Sequence, residues 1–293
     1  MNMVRHILKY RYTHTHINKE IFFFFLSLFP FMTKYCFIIR HGERLDHVHK
    51  LCKPDLFVDL WDPPITPKGL YQAEQTGERL VELIEQNKID PKAMSVVIYT
   101  SPFQRCIETS IGIIKGMRLK KAPILRLDVG LGEWMCERFF DSVGCQATEF
   151  VSRQYQFLAR QQANAYAKRN DIPVMNVDYG YIGSRSEFEF PEHYTDMVQR
   201  FEEARRYCLE KANHATVVLF VTHAVGVNAL LDGFRNHLTR PQESNYCSIS
   251  FVCKKDDEHS ESSDQSDEDS SEYLDTSTPW SIKLTMSDTH LIA

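Results

Sequence analysis

The sequence predicts an α/β fold with a mostly parallel central sheet and helices on both of its faces. Short apolar runs, rich in β-branched and aromatic residues, alternate with longer stretches of helical periodicity, as in repeated βαβ units. Three of the apolar runs are followed closely by an arginine or a histidine, for which the packing of a core strand gives no reason. The predicted strands are Tyr35–Arg40, Val96–Tyr99, Ile124–Leu127, Val217–Val221, Ser248–Cys253 and Trp280–Thr285.

The first predicted strand ends in the most informative stretch of the chain. Residues Cys36–Arg44 read Cys-Phe-Ile-Ile-Arg-His-Gly-Glu-Arg. Ligands of open α/β sheets bind at the carboxyl ends of the strands, so Arg40, His41 and Arg44 are expected at the mouth of a crevice. Gly42 leaves room for a ligand or a second backbone, and two arginines beside a histidine suit a phosphoryl group. An ordinary surface loop is the alternative, because Arg-His-Gly alone has little specificity.

The predicted helices follow the strands. Thr66 is a suitable N-cap and Pro67 fits the first helical position of a helix that runs to Ile84. The next helix carries Arg105 and ends near Gly116. Two more are predicted, an amphipathic helix over His193–Asn213 and a helix from the end of the fourth strand to about Phe234.

Residues 136–195 contain no strand pattern as clear as those six. Glutamine, alanine and arginine dominate residues 153–169, and these residues favour a helix. We expect a helical insertion over the pocket in this region. The loop that precedes it, residues 130–134, reads Gly-Leu-Gly-Glu-Trp and brings Glu133 towards the same edge of the sheet.

Two segments do not fit the core pattern. Residues 1–31 are predicted to be a non-core leader, and residues 32–293 to form one domain. The apolar run Ile21–Phe31 is too short to span a bilayer, so membrane association is expected only if residues 1–31 act as a signal or an anchor. Residues 254–278 are predicted to be a disordered acidic loop between two strands that pair as a hairpin.

Composition excludes several classes of function. The eight cysteines form neither CxxC pairs nor zinc-type spacings, which favours a reduced, cytoplasmic setting. A cysteine-dependent phosphatase is disfavoured, since no cysteine begins a Cys-x5-Arg loop. The net charge is −5, but residues 256–275 alone hold ten acidic and no basic residues, so the rest of the chain is net positive. That charge suits an anionic substrate, whereas the chain lacks the basic runs of a nucleic-acid binder.

Four blocks of sequence together resemble the histidine phosphatase superfamily, whose fold is phosphoglycerate-mutase-like. The resemblance covers roughly residues 35–234, and the four blocks in this order are highly specific. They are Arg40-His41-Gly42-Glu43-Arg44, then Ile65-Thr66 with Gly69 and Gln72-Ala73, then Ser101-Pro102 with Arg105-Cys106 and Glu108-Thr109, and finally Thr222-His223-Ala224.

The resemblance implies a role for each matching residue. His41 would be the nucleophile that receives the phosphoryl group, and Arg40 and Arg105 would bind its oxygens. His223 would complete the pocket. Glu133 would protonate the leaving group if its pKa is raised, although its loop varies most within the family. The family implies neither a metal nor a cofactor.

Within the superfamily the chain resembles in particular the phosphatase domain of the ubiquitin-associated and SH3-domain-containing proteins, the Sts group. This likeness depends on Asp46 after Arg44, and on Gly130-Leu131 followed by Glu133-Trp134. It implies that Arg44 is a further contact to the phosphate.

Three functions stay open from the sequence. The first is a phosphatase for a phosphotyrosine protein or a small phosphate ester, the second a phosphoglycerate-mutase-type phosphotransferase, and the third a non-catalytic binder of phosphorylated ligands. Each site residue also has a structural alternative: Arg105 as a surface ion-pair partner, His223 as a strand-end histidine and Glu133 as a rim charge. The sequence does not reveal the oligomeric state, and a homodimer stays open.

Overall fold

A computed structural model describes most of the chain from residue 33 onwards. The described ranges are 33–48, 61–90, 93–168, 175–212, 215–255 and 278–291. Within them one sheet has seven strands in the order β4-β3-β2-β5-β1-β6-β7. The strands are β1 Tyr35–Arg40, β2 Val96–Thr100, β3 Ile124–Leu127, β4 Asn176–Val177, β5 Val217–Thr222, β6 Ile249–Lys254 and β7 Trp280–Ser287.

The sheet is parallel from β4 to β1 and antiparallel from β1 to β7, which confirms the predicted fold class. Because β1, β2, β3 and β5 run in the same direction, their carboxyl ends meet at one edge. Arg40 pairs with Thr222 there, and Thr100 pairs with Val221 on the other side of β5. The residues that follow these strand ends are therefore neighbours in space, although they are far apart in the sequence.

The helices cover both faces of the sheet. Alternate residues of β1 face opposite sides: Phe37 and Ile39 belong to one apolar core, and Cys36 and Ile38 to the other. Helices α2, α3 and α4 supply the first core, and α5 and α6 the second. The helices are α1 Leu45–Val48, α2 Pro67–Gln86, α3 Gln104–Met117, α4 Ala147–Lys168, α5 Tyr194–Lys211 and α6 Ala224–Arg235.

Most of the predicted elements are confirmed within a residue or two. Thr66 caps α2 by accepting a hydrogen bond from the Gly69 N–H at 2.9 Å, as its sequence position predicts. The region 136–195 contains the expected helix, α4, but also the strand β4, which we did not predict. That strand has two residues, too few to show a period.

Several predictions concern residues beyond the described ones. The leader of residues 1–31 lies outside them, as does most of the acidic stretch, although β6 continues to Lys254 and so takes the first residue of the predicted loop. The predicted pairing of the strands that flank this stretch is confirmed by the antiparallel ladder of β6 and β7. Among the described residues, every helix is too short or too polar to cross a lipid bilayer.

Candidate active site

His41 follows β1 directly and is almost fully buried, with 2% of its surface exposed. Its backbone N–H donates to the carbonyl oxygen of Thr222 at 2.9 Å, which holds it against the end of β5. Its Nδ1 lies 2.8 Å from the carbonyl oxygen of Gly42. A carbonyl only accepts, so Nδ1 carries the ring proton and Nε2 keeps a free lone pair.

The loop of His41 is held through its own backbone atoms. A Cβ atom added at Gly42 would lie 2.7 Å from the carbonyl oxygen of Gly69, so the two backbones touch and neither position has room for a side chain. The Gly42 N–H donates to Oγ1 of Thr109 at 2.9 Å, and the Glu43 N–H donates to Oε1 of Gln72 at 3.1 Å. The second and third sequence blocks therefore provide the support for the first.

Arg105 lies in the first turn of α3 with only 1% of its surface exposed, which rules out the alternative of a surface ion pair. Its Nη2 donates to Oε2 of Glu133 at 3.2 Å, and its Nη1 lies 3.6 Å from Oδ1 of Asp62. Both oxygens of Asp62 also accept the backbone N–H of Gln104, at 2.8 and 3.0 Å, and so cap the helix. Among the described residues, Nε and Nη1 of Arg105 meet no hydrogen-bond acceptor.

His223 follows β5 and is fully buried. One ring nitrogen, Nε2, lies 2.9 Å from Oγ of Ser101, and the other, Nδ1, lies 3.2 Å from Oε2 of Glu133. Its ring centre is 5.3 Å from that of His41. Burial lowers the pKa of His223 to about 4, although the neighbouring Glu133 carboxylate acts in the opposite direction.

The charge states of His41 and Glu133 follow from the same surroundings. Burial, reinforced by Arg105, His223 and Arg40, holds the pKa of His41 well below its usual range, so the imidazole is neutral. Burial acts to raise the pKa of Glu133, but His223 and Arg105 outweigh it and hold that pKa well below its usual range. The condition for proton donation, a raised pKa of Glu133, is therefore not met in the free site, and the role of Glu133 as proton donor stays a prediction.

The two arginines of the first block differ in their partners. The Arg40 guanidinium stacks on Tyr246 at 4.2 Å from the ring centre and donates to the carbonyl oxygen of Ser244. Its buried Nε meets no acceptor in the described part of the chain. Arg44 instead forms a two-pronged ion pair with Asp46, at 3.0 and 2.7 Å. Arg44 as a phosphate contact stays a prediction, since in this structure its charge is already paired.

The structure thus brings together four of the predicted residues: His41, Arg105, Glu133 and His223. Arg40 joins them at the end of β1. Three further residues of the site were missed in the sequence. They are Ser101, Asp62 and Tyr246, of which Ser101 belongs to the third block but was given no role, and Asp62 stands just before the second block.

The same groups resemble a set of metal ligands. One ring nitrogen of each of His41 and His223 and a carboxylate oxygen of Glu133 all lie within 4.8 Å of one another. Imidazole and carboxylate ligands suit a borderline divalent cation such as zinc. Arg105 is already paired with the same carboxylate, however, and its positive charge opposes a cation there. The donor set as a whole therefore fits an anion better than a metal.

The model of one protein family matches residues 36–261, and its description is the histidine phosphatase superfamily, branch 1. The chain belongs to this superfamily. The match spans all the residues of the site and most of the sheet. The resemblance inferred from the four sequence blocks is therefore confirmed.

Two curated relatives match a smaller part of the chain. The ubiquitin-associated and SH3 domain-containing protein A of Mus musculus is 28% identical over a segment that covers 33% of this chain and 19% of that protein. The ecdysteroid-phosphate phosphatase of Drosophila melanogaster is 31% identical over 34% of this chain and 15% of that protein. The matched segment spans less than a fifth of each relative.

One solved structure supports the fold. It is the ecdysone phosphate phosphatase from Bombix mori in complex with tungstate, with a TM-score of 0.54 and 18% identity. The alignment covers 80% of this chain and 98% of that one. At this level of identity the likeness concerns the fold alone, which agrees with the order and direction of the strands.

Proposed function

We propose that this protein is a phosphatase that hydrolyses phosphate monoesters through a phosphohistidine intermediate. One observation carries the proposal: the free Nε2 of a neutral, buried His41 lies near the buried Arg105 and the half-buried Arg40, and both arginines have buried N–H groups without an acceptor among the described residues. Unpaired buried donors are costly unless a ligand accepts from them. A phosphoryl group offers the negative oxygens that they need, next to a nucleophile.

The reaction has two displacement steps. In the first, the lone pair on Nε2 of His41 attacks phosphorus, the bond from phosphorus to the ester oxygen breaks, and the leaving oxygen takes a proton from Glu133. Arg40 and Arg105 bind the non-bridging oxygens, where charge accumulates. In the second, water attacks phosphorus, the phosphorus–nitrogen bond breaks, and Glu133 takes the proton of the water. The products are the alcohol and inorganic phosphate.

The proton for the leaving group arrives with the substrate in this mechanism. Glu133 is ionised in the free site because His223 and Arg105 stabilise its charge. A bound phosphoryl group neutralises Arg105 and adds negative charge beside the carboxylate, and both effects raise the pKa of Glu133. A substrate that binds as the monoanion can therefore transfer its own proton to Glu133 before the ester bond breaks.

The relatives support a phosphate monoester as substrate. Two of them are described as phosphatases of ecdysteroid or ecdysone phosphate, and one was solved with tungstate, a tetrahedral oxyanion like phosphate. A phosphorylated protein or small molecule is the partner that we propose, with no nucleic acid, and the cytoplasm is the proposed location. A mutase is disfavoured by the residues after Arg-His-Gly, since Glu43 and Arg44 replace the small polar residues typical of mutases.

The test combines a substrate panel with a trapping experiment. The purified protein should hydrolyse an aryl phosphate but should neither isomerise nor hydrolyse 3-phosphoglycerate efficiently, and a rapid quench should trap acid-labile, alkali-stable phosphate on the protein. The His41→Ala variant should fold normally and lose both the activity and the trapped phosphate. Retention of more than about 5% of the activity by that variant would exclude His41 as the nucleophile, because covalent catalysis has no second route.

A further inference from the structure

The loop that carries Glu133 is held by side chains along its whole length. The carbonyl oxygens of four consecutive residues, 130–133, each accept a hydrogen bond from a side chain. Thr222 donates through Oγ1 to the second of them at 2.8 Å. Arg200 of α5 donates to the other three, through Nη1 to Gly130 at 2.8 Å and Gly132 at 3.1 Å, and through Nη2 to Glu133 at 3.2 Å.

Glu192 completes this arrangement from the other side. Its two carboxylate oxygens accept from Nε and Nη2 of Arg200 at 2.6 and 2.9 Å. One of them also accepts the backbone N–H of Met135 at 3.2 Å, two residues after Glu133. The carbonyl oxygen of Glu192 accepts Nε1–H of Trp134 at 2.9 Å. The ion pair of Arg200 and Glu192 therefore binds the loop on both sides of Glu133, the candidate proton donor.

Both members of the pair are withdrawn from solvent, with 5% of Arg200 and 3% of Glu192 exposed. A buried ion pair contributes little to stability relative to well-packed apolar side chains, because both charges lose their hydration. Here the pair instead fixes the geometry of the loop, because a planar guanidinium holds several acceptors in one arrangement. Its acceptors are the loop carbonyls that determine where the Glu133 carboxylate lies.

We infer that Arg200 and Glu192 are positioning residues for the Glu133 proton donor. The inference rests on the proposed phosphatase reaction, in which Glu133 must reach the leaving oxygen while keeping its 3.2 Å contacts to Arg105 and His223. A displacement of the donor by about an ångström is enough to impair proton transfer. Loosening the pair should therefore affect the esters that need a proton donor and spare those that do not.

The experiment compares two aryl phosphates that differ in their leaving group. Arg200→Lys and Glu192→Gln should lower kcat for phenyl phosphate by about 30-fold or more, because a general acid contributes about 100-fold or more. For 4-nitrophenyl phosphate, whose leaving group needs little protonation, the loss should stay within about threefold. Glu133→Gln should show the same contrast. Arg205→Lys is the matched control: Arg205 is a buried arginine on the same helix, bonded to Glu202 at 2.8 and 2.7 Å.

A second variant separates positioning from a loss of stability. In Arg200→Ala, added guanidinium ion should restore the hydrolysis of phenyl phosphate, and it should not stimulate Arg205→Ala. Equal losses for the two esters in Arg200→Lys and Glu192→Gln, or wild-type kinetics in both variants, would overturn the inference.

A further measurement does not depend on activity. Amide hydrogen exchange at residues 131–135 should be faster in Arg200→Lys than in Arg205→Lys, because the loop carbonyls lose their donors. If the exchange rates are unchanged, that result alone would overturn the inference that Arg200 positions the loop. If the wild type hydrolyses neither ester, the proposed function fails, and the exchange experiment still decides whether the pair holds the loop.

Discussion

The hydroxyl group of Ser101 lies 2.9 Å from Nε2 of His223 and, together with Glu133 at Nδ1, determines which nitrogen of that imidazole carries the proton. Nδ1 of the same ring faces a carboxylate oxygen of Glu133, which only accepts, so Nδ1 carries the proton. Nε2 is then the acceptor, and Nδ1–H faces Glu133 at 3.2 Å. The imidazole thereby presents a donor to the carboxylate without being charged.

Ser101→Ala should lower kcat/KM for an aryl phosphate by about tenfold, since one hydrogen bond contributes about 1 kcal/mol and the imidazole loses its fixed tautomer. Steady-state kinetics on purified variants measures this. Ser110→Ala is the control, because Ser110 is also fully buried but donates to the carbonyl oxygen of Cys106 within α3. Wild-type kinetics in Ser101→Ala would contradict the role given to this hydroxyl.

Arg105→Ala should lower kcat/KM by about a thousandfold or more, because a charged hydrogen bond in a site closed to water contributes several kcal/mol to the transition state. Arg105→Lys should recover only a small part of this loss, since lysine keeps the charge but not the planar fork. Binding of tungstate, measured by calorimetry, should weaken in parallel. A loss of less than about tenfold in Arg105→Ala would remove this residue from the phosphate site.

The activity should be greatest on the acid side of neutrality. The lowered pKa of His41 keeps its imidazole neutral as the pH falls below its ordinary value, so the nucleophile survives there. Glu133 is ionised in the free site, so each turnover needs a substrate that carries a proton. kcat/KM for phenyl phosphate should therefore be level from about pH 5 to about pH 6, and fall about tenfold per unit above the second phosphate pKa of about 6.

A pH profile of kcat/KM, with substrate ionisation measured separately, tests this expectation. A decrease in rate as the pH drops through about 6.5 would show that His41 titrates as an ordinary histidine, contrary to its burial among cations. Glu133→Gln is the informative variant, because in this variant kcat/KM should no longer depend on the protonated form of the substrate.

Replacement of residues 256–275 by a short Gly-Ser turn should leave kcat unchanged and lower KM slightly at low salt. The stretch carries ten acidic residues, which compete weakly with an anionic substrate for a basic site. Lys255 N–H donates to the carbonyl oxygen of Pro279 at 2.8 Å, so the hairpin is closed at its base by the sheet itself. A scrambled stretch of the same composition should keep the wild-type KM. A collapse of kcat in the Gly-Ser variant would contradict the prediction of a dispensable loop.

The central strands could be predicted because each is a short, fully apolar run followed by a change of composition. All six residues of β5 are buried and the first five, Val217 to Val221, are apolar, so no polar residue interrupts the run before its end. Strand β4 could not be predicted, because it is an edge strand of two residues whose pairing depends on the position of β3. No sequence pattern near β4 indicates that it pairs with β3.

The candidate site could be predicted where its residues follow strand ends, as His41 and His223 do. Tyr246 was missed, since it reaches Arg40 from a part of the chain about two hundred residues away and belongs to no recognised block. The charge state of Glu133 could not be predicted for a different reason. Its pKa is set by distances to Arg105 and His223, and a sequence does not contain those distances.

The contact between Gly42 and Gly69 has a consequence for the engineering of this enzyme class. Because main-chain atoms and the buried Thr109 hold the nucleophile loop, its geometry does not depend on which side chains line the mouth of the pocket. Libraries that diversify exposed positions of α2 such as Tyr71, which is 62% exposed and two residues from Gly69, should therefore retain turnover. Gly69→Ala adds only one methyl group, but it should abolish turnover in every member of such a library.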